Sequence, residues 1–480
     1  MSLQKEERTK QEKRIILDMT LIEGHMKVLI DVDDQGKVTD VKVQGIDSRY
    51  FEKFCEGFPI DELPKITPRI CGLCSASHHI ASARAIDVVY GAEVPKRAEL
   101  IRRGVVYGII LNNHALHLVM MGLPDVLLDE KNKSMMKLMR KDHELVKLGT
   151  ELTSYGHEAV KLFGGRDIHP VRAVAGGVAK PPSEEEVKEF IQKTKEAEEK
   201  FEKFEKKAKK YLREVEPKLL QYPNGAEYHA AFMQGDKVDY YGGKFVLFDS
   251  KGNIAKEVDP QRYEEAIKEY VVPWSYIKPV TVAWKEYPEG SIRSGPVSRV
   301  NMTSGYETPV AQALLQEFRE RYGRFNWHPL LAHEARIIEI AHTLELIKGI
   351  LESPELFEGD YLVDVDSMKN ERGVGAIEAP RGVLFHDVRA KQDNSIVKVA
   401  KFNIITPTAL NAAAMEADLR AYLVGKDVKE MGDYGLYSAV TNVIRSYDPC
   451  MACATHSVNK LGGFLIEIRN RGKVIKRIKV

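Results

Sequence analysis

Cysteine is scarce in this chain, five among 480 residues. The opening stretch, Met1 to Lys13, is charged and polar and lacks the apolar centre of a secretory signal. Secreted disulfide scaffolds are cysteine-dense, so the expectation is a cytoplasmic protein whose thiols stay reduced. No apolar run reads as a bilayer crossing, which takes about 20 predominantly apolar residues, and membrane contact would come only through a partner. Acidic and basic residues nearly cancel, for a formal net charge of +1, so no general field draws in nucleic acid or an anionic membrane. Tandem repeats are absent. The pair His333-Glu334 has no second histidine four residues past the first, which excludes the helical zinc-protease motif.

What is present is a telling placement of the cysteines. Cys71-Gly72-Leu73-Cys74 and Cys450-Met451-Ala452-Cys453 use four of the five. A Cys-x-x-Cys turn presents two sulfurs to one centre, and two such turns make a four-thiolate cage. Nearly the whole chain separates them, so neither stretch can hold a metal alone. Small residues and two histidines, Ser75 to His79, follow Cys74 and open what reads as a helix, whose N-terminus would favour a thiolate. Pro449 fixes the backbone before Cys450, and His456 follows Cys453 by three residues. For a bare pair of such turns a structural zinc site is the ordinary reading, but zinc modules keep their two halves close in sequence. Cys55 matches no metal motif and reads as a small buried hydrophobe.

The stretches around the cysteines carry a family likeness. Ile22-Glu23-Gly24-His25, Arg49-Tyr50-Phe51-Glu52, Arg69 to His78, Gly165-Arg166-Asp167-Ile168-His169-Pro170, Glu378-Ala379-Pro380-Arg381-Gly382, Thr406 to Asn411 and Asp448 to His456 occur in this order. With them the chain resembles the large, catalytic subunit of nickel-iron hydrogenases over nearly its full length. The likeness implies an α+β, mainly α fold, the hydrogenase large-subunit fold, with long central helices, peripheral β-hairpins and both termini converging on a buried site. Residues 1–456 would form one unit, with an insertion region at about 220–300. Residues 457–480 would be a tail removed on maturation, or else a retained β-hairpin turning at Asn470-Arg471-Gly472.

Local patterns place these motifs. Met26 to Val32 and Val38 to Val43 alternate around Asp33-Asp34-Gln35-Gly36 and predict a hairpin, with Glu23 just before it. Pro95 opens a predicted helix through about Met121, closed by Gly122 and Pro124. His114 and His117 share one face of it and read as satisfied core histidines. In some hydrogenases an aspartate stands beside the position of His114; here that neighbour is Asn113, and it receives no role. Further helices are predicted over Ser134 to Phe163, Glu184 to Glu214, Pro309 to Tyr322 and Pro329 to Leu351. Gly382 to Ala390 and Ser395 to Ile405 read as a hairpin with Arg381 just ahead of it.

The resemblance assigns chemistry residue by residue. Cys71 and Cys450 would be terminal nickel ligands, and Cys74 and Cys453 would bridge nickel to an iron carrying carbon monoxide and cyanide. Splitting dihydrogen needs a Lewis-acidic metal for the hydride and a base for the proton. The proton would pass to the Cys450 sulfur or to Arg381, then outward through Glu23, with Asp448 orienting Arg381. His78, Pro380, Thr406 and Thr408 would surround the centre, the threonines donating to the diatomic ligands. Glu52, the carbonyl of Ile404 and His456 would hold magnesium. Every metal-grade cysteine is then used, so an iron-sulfur small subunit is implied as electron partner. The nearest subgroup is the archaeal, deazaflavin-non-reducing, viologen-reactive type, whose partners include flavin or disulfide-reductase modules. The Complex I relative of this fold lacks the four cysteines, and a noncatalytic zinc scaffold is the rival of another class.

Overall fold

The computed structural model describes residues 13–18, 22–129, 133–455, 465–470 and 473–479; for 13–18, 455, 465–470 and 473–479 only the backbone is described. A group of long helices forms the interior: Ser75–Tyr90, Lys96–His117, His143–Gly164, Glu184–Glu214 and Ala332–Glu352. The last is buried along most of its length. Glu184–Glu214 is charged outside and apolar on one stripe, where Val187, Phe190, Phe201 and Phe204 are buried. It begins at a capping box, Ser183 exchanging hydrogen bonds with Glu186, which satisfies two otherwise unpaired amides.

Two helix boundaries differ from the sequence reading. Asp142 breaks the segment after Ser134 into Met135–Lys141 and His143–Gly164, because its carboxylate accepts from Leu145 N at 2.9 Å and restarts the helix as an N-cap. The helix from Lys96 does not close at Gly122. It passes through a π-helical turn, Leu118–Gly122, into Leu123–Leu127, and the irregular turn falls directly ahead of Pro124, a residue that cannot donate to the regular ladder. Among the described residues this stretch, Lys96–Leu127, is long and apolar enough by length and composition to cross a membrane, and most of it is buried inside the protein. The expectation that no run reaches that length is corrected to this extent: the apolarity of the stretch faces the helical core.

The sheets lie around and through the helices. Met26–Val32 and Val38–Gly45 pair as expected, and Lys13–Asp18, Leu465–Asn470 and Lys473–Lys479 extend them into one five-stranded sheet. The segment at 220–300 holds more order than its sequence suggests. Tyr228–Gln234 pairs antiparallel with Lys244–Asp249 and parallel with Ile292–Ser294. Its buried Phe232 and Phe245 pack on Phe385 of a second sheet, Arg372–Ala379, Gly382–Asp393 and Ile396–Ile405, to form a separate apolar cluster. The first of those three strands escaped the sequence reading.

That second sheet positions the metal motif. Helix Ser75–Tyr90 lies directly on strand Arg372–Ala379, and a Cβ on Gly375 would stand 1.8 Å from the Ala81 carbonyl. Only glycine admits so close a backbone approach. The helix that opens at Cys74 is thereby fixed against the strand that leads to Arg381.

Candidate metal centre

Cys71 follows a short turn, Thr67–Ile70, and Cys74 stands at the N-cap of helix Ser75–Tyr90. Cys450 comes just after helix Val428–Ser446, and Cys453 lies in the short helix Met451–Thr455. Between them Asp448 adopts a left-handed φ of 53°, which turns the chain into Pro449 and Cys450. Two contacts lock this end of the chain: Met451 N donates to the Glu23 carbonyl at 2.6 Å and Cys450 N to Thr408 Oγ1 at 2.9 Å. Cys71 and Cys450 sulfurs stand 3.3 Å apart, Cys74 and Cys453 2.7 Å, and Cys450 and Cys453 3.0 Å. All four lie within 4.8 Å of one another, buried and free of disulfides.

In such a cluster of thiols, ionising one opposes ionising the next. Hydrogen bonds from its neighbours, Cys450 first, hold Cys71 well below the usual thiol range. Burial pushes Cys450 and Cys453 up, and Cys74 is raised chiefly by its hydrogen bond with Cys450. Like charges this close cannot coexist out of water unless cations neutralise them. Four soft donors converging from two elements therefore fit a thiolate-bound transition-metal centre.

One side of the centre is roofed by Arg381. Strand Arg372–Ala379 pairs with Gly382–Asp393 so that Ala379 faces Gly382, and Pro380 and Arg381 are the two residues of the turn between them. Gly382 takes a φ of +127°, and a Cβ there would meet Ser294 Oγ at 2.0 Å, so the turn needs glycine. Arg381 Nε donates to the Asp448 carbonyl and Nη2 to Asp448 Oδ1 at 3.1 Å, while Nη1 donates to Asn113 Oδ1 at 3.0 Å. Asn113 Nδ2 in turn donates to the carbonyl of Leu73, inside the first cysteine turn, at 2.9 Å. A small cavity of about 10 Å³ lies between the roof and the sulfurs, with His78, Pro380, Arg381 and Thr408 among its lining residues.

The comparisons with known proteins agree with this geometry. A family model described as nickel-dependent hydrogenase matches residues 49–125 and 282–456, and one described as HoxL-like matches 16–45. The chain belongs to the nickel-dependent hydrogenase family. It is 33% identical to the vhc F420-non-reducing hydrogenase chain of Methanococcus voltae, over 97% of this chain and all of that one. It is 32% identical to the beta chain of the NAD-reducing hydrogenase HoxS of Cupriavidus necator, over 94% and 96% of the two chains. Among solved structures, an NAD+-reducing [NiFe]-hydrogenase in its H2-reduced state superposes with a TM-score of 0.85 at 31% identity, covering 93% of this chain and all of that one. The Ni-Fe-Se hydrogenase of D. vulgaris Hildenborough gives 0.75 at 25%, with the same coverages. The protein is thus a nickel-iron hydrogenase large subunit, with the mainly helical α+β fold expected of one.

Within this hydrogenase the structure places the remaining candidate residues unevenly. Glu23 lies beside the centre, its backbone bridged to Cys450. Burial raises its carboxyl pKa, and the Cys71 thiol adds to the rise. His78 Nε2 stands 3.3 Å from Cys453 Sγ. Thr408 lines the cavity, whereas the Thr406 hydroxyl accepts from Ala409 N at 3.3 Å and caps helix Pro407–Leu423. Glu52 and Ile404 do come together, Ile404 N donating to Glu52 Oε1 at 2.9 Å. The cation touching both is the Arg49 guanidinium, which pairs with the Glu52 carboxylate and donates to the Ile404 carbonyl at 2.7 Å. That pairing holds the Glu52 pKa low despite burial. His456, the third predicted magnesium ligand, lies outside the described residues.

His114 and His117 are buried in the core, their Nε2 atoms bound to Glu339 and to the Arg445 carbonyl at 2.7 Å each, but they are only half satisfied, since the Nδ1 of each has no partner among the described residues. Three groups near the centre were not singled out by sequence: Asn113 as a partner of Arg381, His386 beside His78, and Arg49 on Glu52. Asn113 carried a signal, since it stands next to His114 where some hydrogenases have an aspartate. His386, buried in a strand, carried none.

Proposed function

We propose that this large subunit splits dihydrogen reversibly at a Cys71, Cys74, Cys450 and Cys453-bound nickel-iron centre and passes the electrons to an iron-sulfur small subunit. The observation carrying this reading is the meeting of four buried sulfurs from opposite ends of the chain beneath one arginine. Cys71 and Cys450 would be the terminal nickel ligands, and Cys74 and Cys453 the bridges to iron. When bound, such a centre supplies the Lewis-acidic position at which dihydrogen is polarised. Arg381, held by Asp448 and Asn113, aims a fixed positive charge into the cavity, and with the Thr408 hydroxyl it would donate to the carbon monoxide and cyanide expected on iron. A proton received at the Cys450 sulfur or by way of Arg381 goes to Glu23, whose raised pKa suits a carboxyl that holds and releases protons.

Electrons have a short way out on the Cys71 side. Arg69 and Gly72 are exposed there, as are Gly165, Arg166 and Asp167 of the loop that Ser75 Oγ holds through His169 N. This face would receive the small subunit. The archaeal relatives named F420-non-reducing support the deazaflavin-non-reducing subgroup, and with it a cytoplasmic complex with flavin or disulfide-reductase modules. A magnesium ion bound by Glu52, the Ile404 carbonyl and His456 would have to take the first two from Arg49. Residues 457–480 would be a maturation extension beyond His456, where the family match also ends; the intact mass of the active protein decides between removal and retention.

Metal analysis and infrared spectra of the purified complex test the reading. Equimolar nickel and iron, with bands from metal-bound carbon monoxide and cyanide, are expected. Zinc alone would establish a noncatalytic scaffold instead.

A further inference from the structure

A continuous hydrogen-bonded chain runs away from the Cys453 sulfur. His78 Nε2 stands 3.3 Å from Cys453 Sγ, and His78 Nδ1 lies 2.9 Å from His386 Nε2. His386 Nδ1 is 2.8 Å from Ser82 Oγ, and Ser82 Oγ is 2.9 Å from Thr67 Oγ1. All four side chains are excluded from water. We infer that His386, backed by Ser82 and Thr67, is a positioning residue that keeps an N–H of His78 directed at the Cys453 sulfur. The inference rests on the nickel-iron reading of the centre.

Counting donors and acceptors gives the chain a direction. His78 Nδ1 and His386 Nε2 face each other at 2.9 Å, so one of the two rings donates and the other accepts, and an imidazole in its neutral form has one N–H and one lone pair. A metal-bound Cys453 is a thiolate and can only accept, which requires the hydrogen of His78 on Nε2 and leaves its Nδ1 bare. His386 must then donate from Nε2, leaving its own Nδ1 to accept from the Ser82 hydroxyl. Ser82 accepts in turn from Thr67. The Thr67 hydroxyl also lies 2.9 Å from the Leu63 carbonyl and 3.2 Å from the His78 carbonyl. Neither carbonyl is orphaned when the hydroxyl turns to Ser82, because Leu63 O already receives Thr67 N and His78 O lies within the hydrogen-bond ladder of its helix. The reverse direction would need an S–H at Cys453.

The outer end decides between transport and orientation. It stops at the Thr67 hydroxyl, whose other neighbours are two backbone carbonyls that supply no proton, so the chain has no exit and is no proton conduit. Its effect is to fix the tautomer and ring angle of His78, and an N–H on a metal-bound sulfur draws electron density from it, a lever that tunes thiolate-bound metal centres.

The test uses the purified complex and its metal-bound carbon monoxide and cyanide infrared bands. His386→Leu removes the donor to His78 Nδ1, so the sulfur loses its N–H and donates more strongly to the metal. With nickel and iron retained, the bands should move to lower wavenumber. His386→Gln, which can both donate to His78 and accept from Ser82, should bring them back toward wild type. Ser82→Ala deletes only the donor behind His386 and should shift the bands in the same direction but less; it carries the test if the leucine variant fails to assemble. Bands unchanged from wild type in a metal-replete His386→Leu, or in Ser82→Ala where the leucine variant fails, overturn this inference alone. A wild-type complex with no such bands would overturn the nickel-iron reading, and this inference with it.

Discussion

Asn113→Ala is the sharpest perturbation of the roof over the metal centre. The wild-type side chain accepts from Arg381 Nη1 at 3.0 Å and donates to the Leu73 carbonyl at 2.9 Å, and it is 2% exposed. Truncation leaves one N–H of a buried guanidinium without a partner and frees the first cysteine turn from its tether. A hydrogen bond to a charged group contributes about 1.5–3 kcal/mol. If that energy holds the guanidinium in its working orientation, the turnover rate should fall roughly 10- to 150-fold. The Asp448 contacts remain, so Arg381 should stay in place while its freedom rises. Dihydrogen uptake with an artificial electron acceptor, normalised to bound nickel, measures the loss. Asn113→Asp restores an acceptor for Arg381 and should recover part of the rate. Wild-type uptake in a metal-replete Asn113→Ala protein would refute the claim that Asn113 positions Arg381.

Other outcomes follow from the same geometry. Cys450→Ala should abolish dihydrogen uptake, and uptake surviving in that variant would remove Cys450 from the centre. Glu23→Gln should slow hydrogen-deuterium exchange catalysed by the complex while nickel and iron stay bound; loss of both metals would contradict a relay role. Gly375→Ala forces a Cβ against the Ala81 carbonyl, an overpacking worth about 1–3 kcal/mol, and should lower both the melting temperature and metal loading, whereas unchanged loading would mean that this contact does not position the cysteine helix. His79, His114 and His342 are each pushed down to about 4 by burial. A histidine near 6.5 when unfolded and near 4 when folded stabilises the fold fully above 6.5 and loses that contribution as pH falls toward 4. The melting temperature should therefore drop across this window with net proton uptake on unfolding, and a flat profile between pH 6.5 and 4 would refute the neutral, buried assignment.

Local chemistry made much of this protein legible from its residues. The hairpin at Met26–Gly45 follows from alternation around a turn, and helix Glu184–Glu214 from an apolar stripe and a Ser183 cap. The cysteine pairs announced a thiolate site because three-residue spacing constrains two side chains locally, and the ordered motifs around them tied that site to hydrogenases. Asp448 beside Arg381 was anticipated through the same likeness.

What sequence could not supply are contacts with no short-range trace. Asn113 reaches Arg381, and His386 reaches His78, only because helices Lys96–His117 and Ser75–Tyr90 pack against the strands around the Pro380-Arg381 turn. Arg49 lies on Glu52 and the Ile404 carbonyl together because strand Ile396–Ile405 passes beside the short helix Phe51–Cys55. The residues alone determined which atoms are suited to metal and proton chemistry, since that suitability resides in each side chain. Tertiary structure decided which of them share one water-free space, since proximity across hundreds of residues is set by the packing of whole helices and strands.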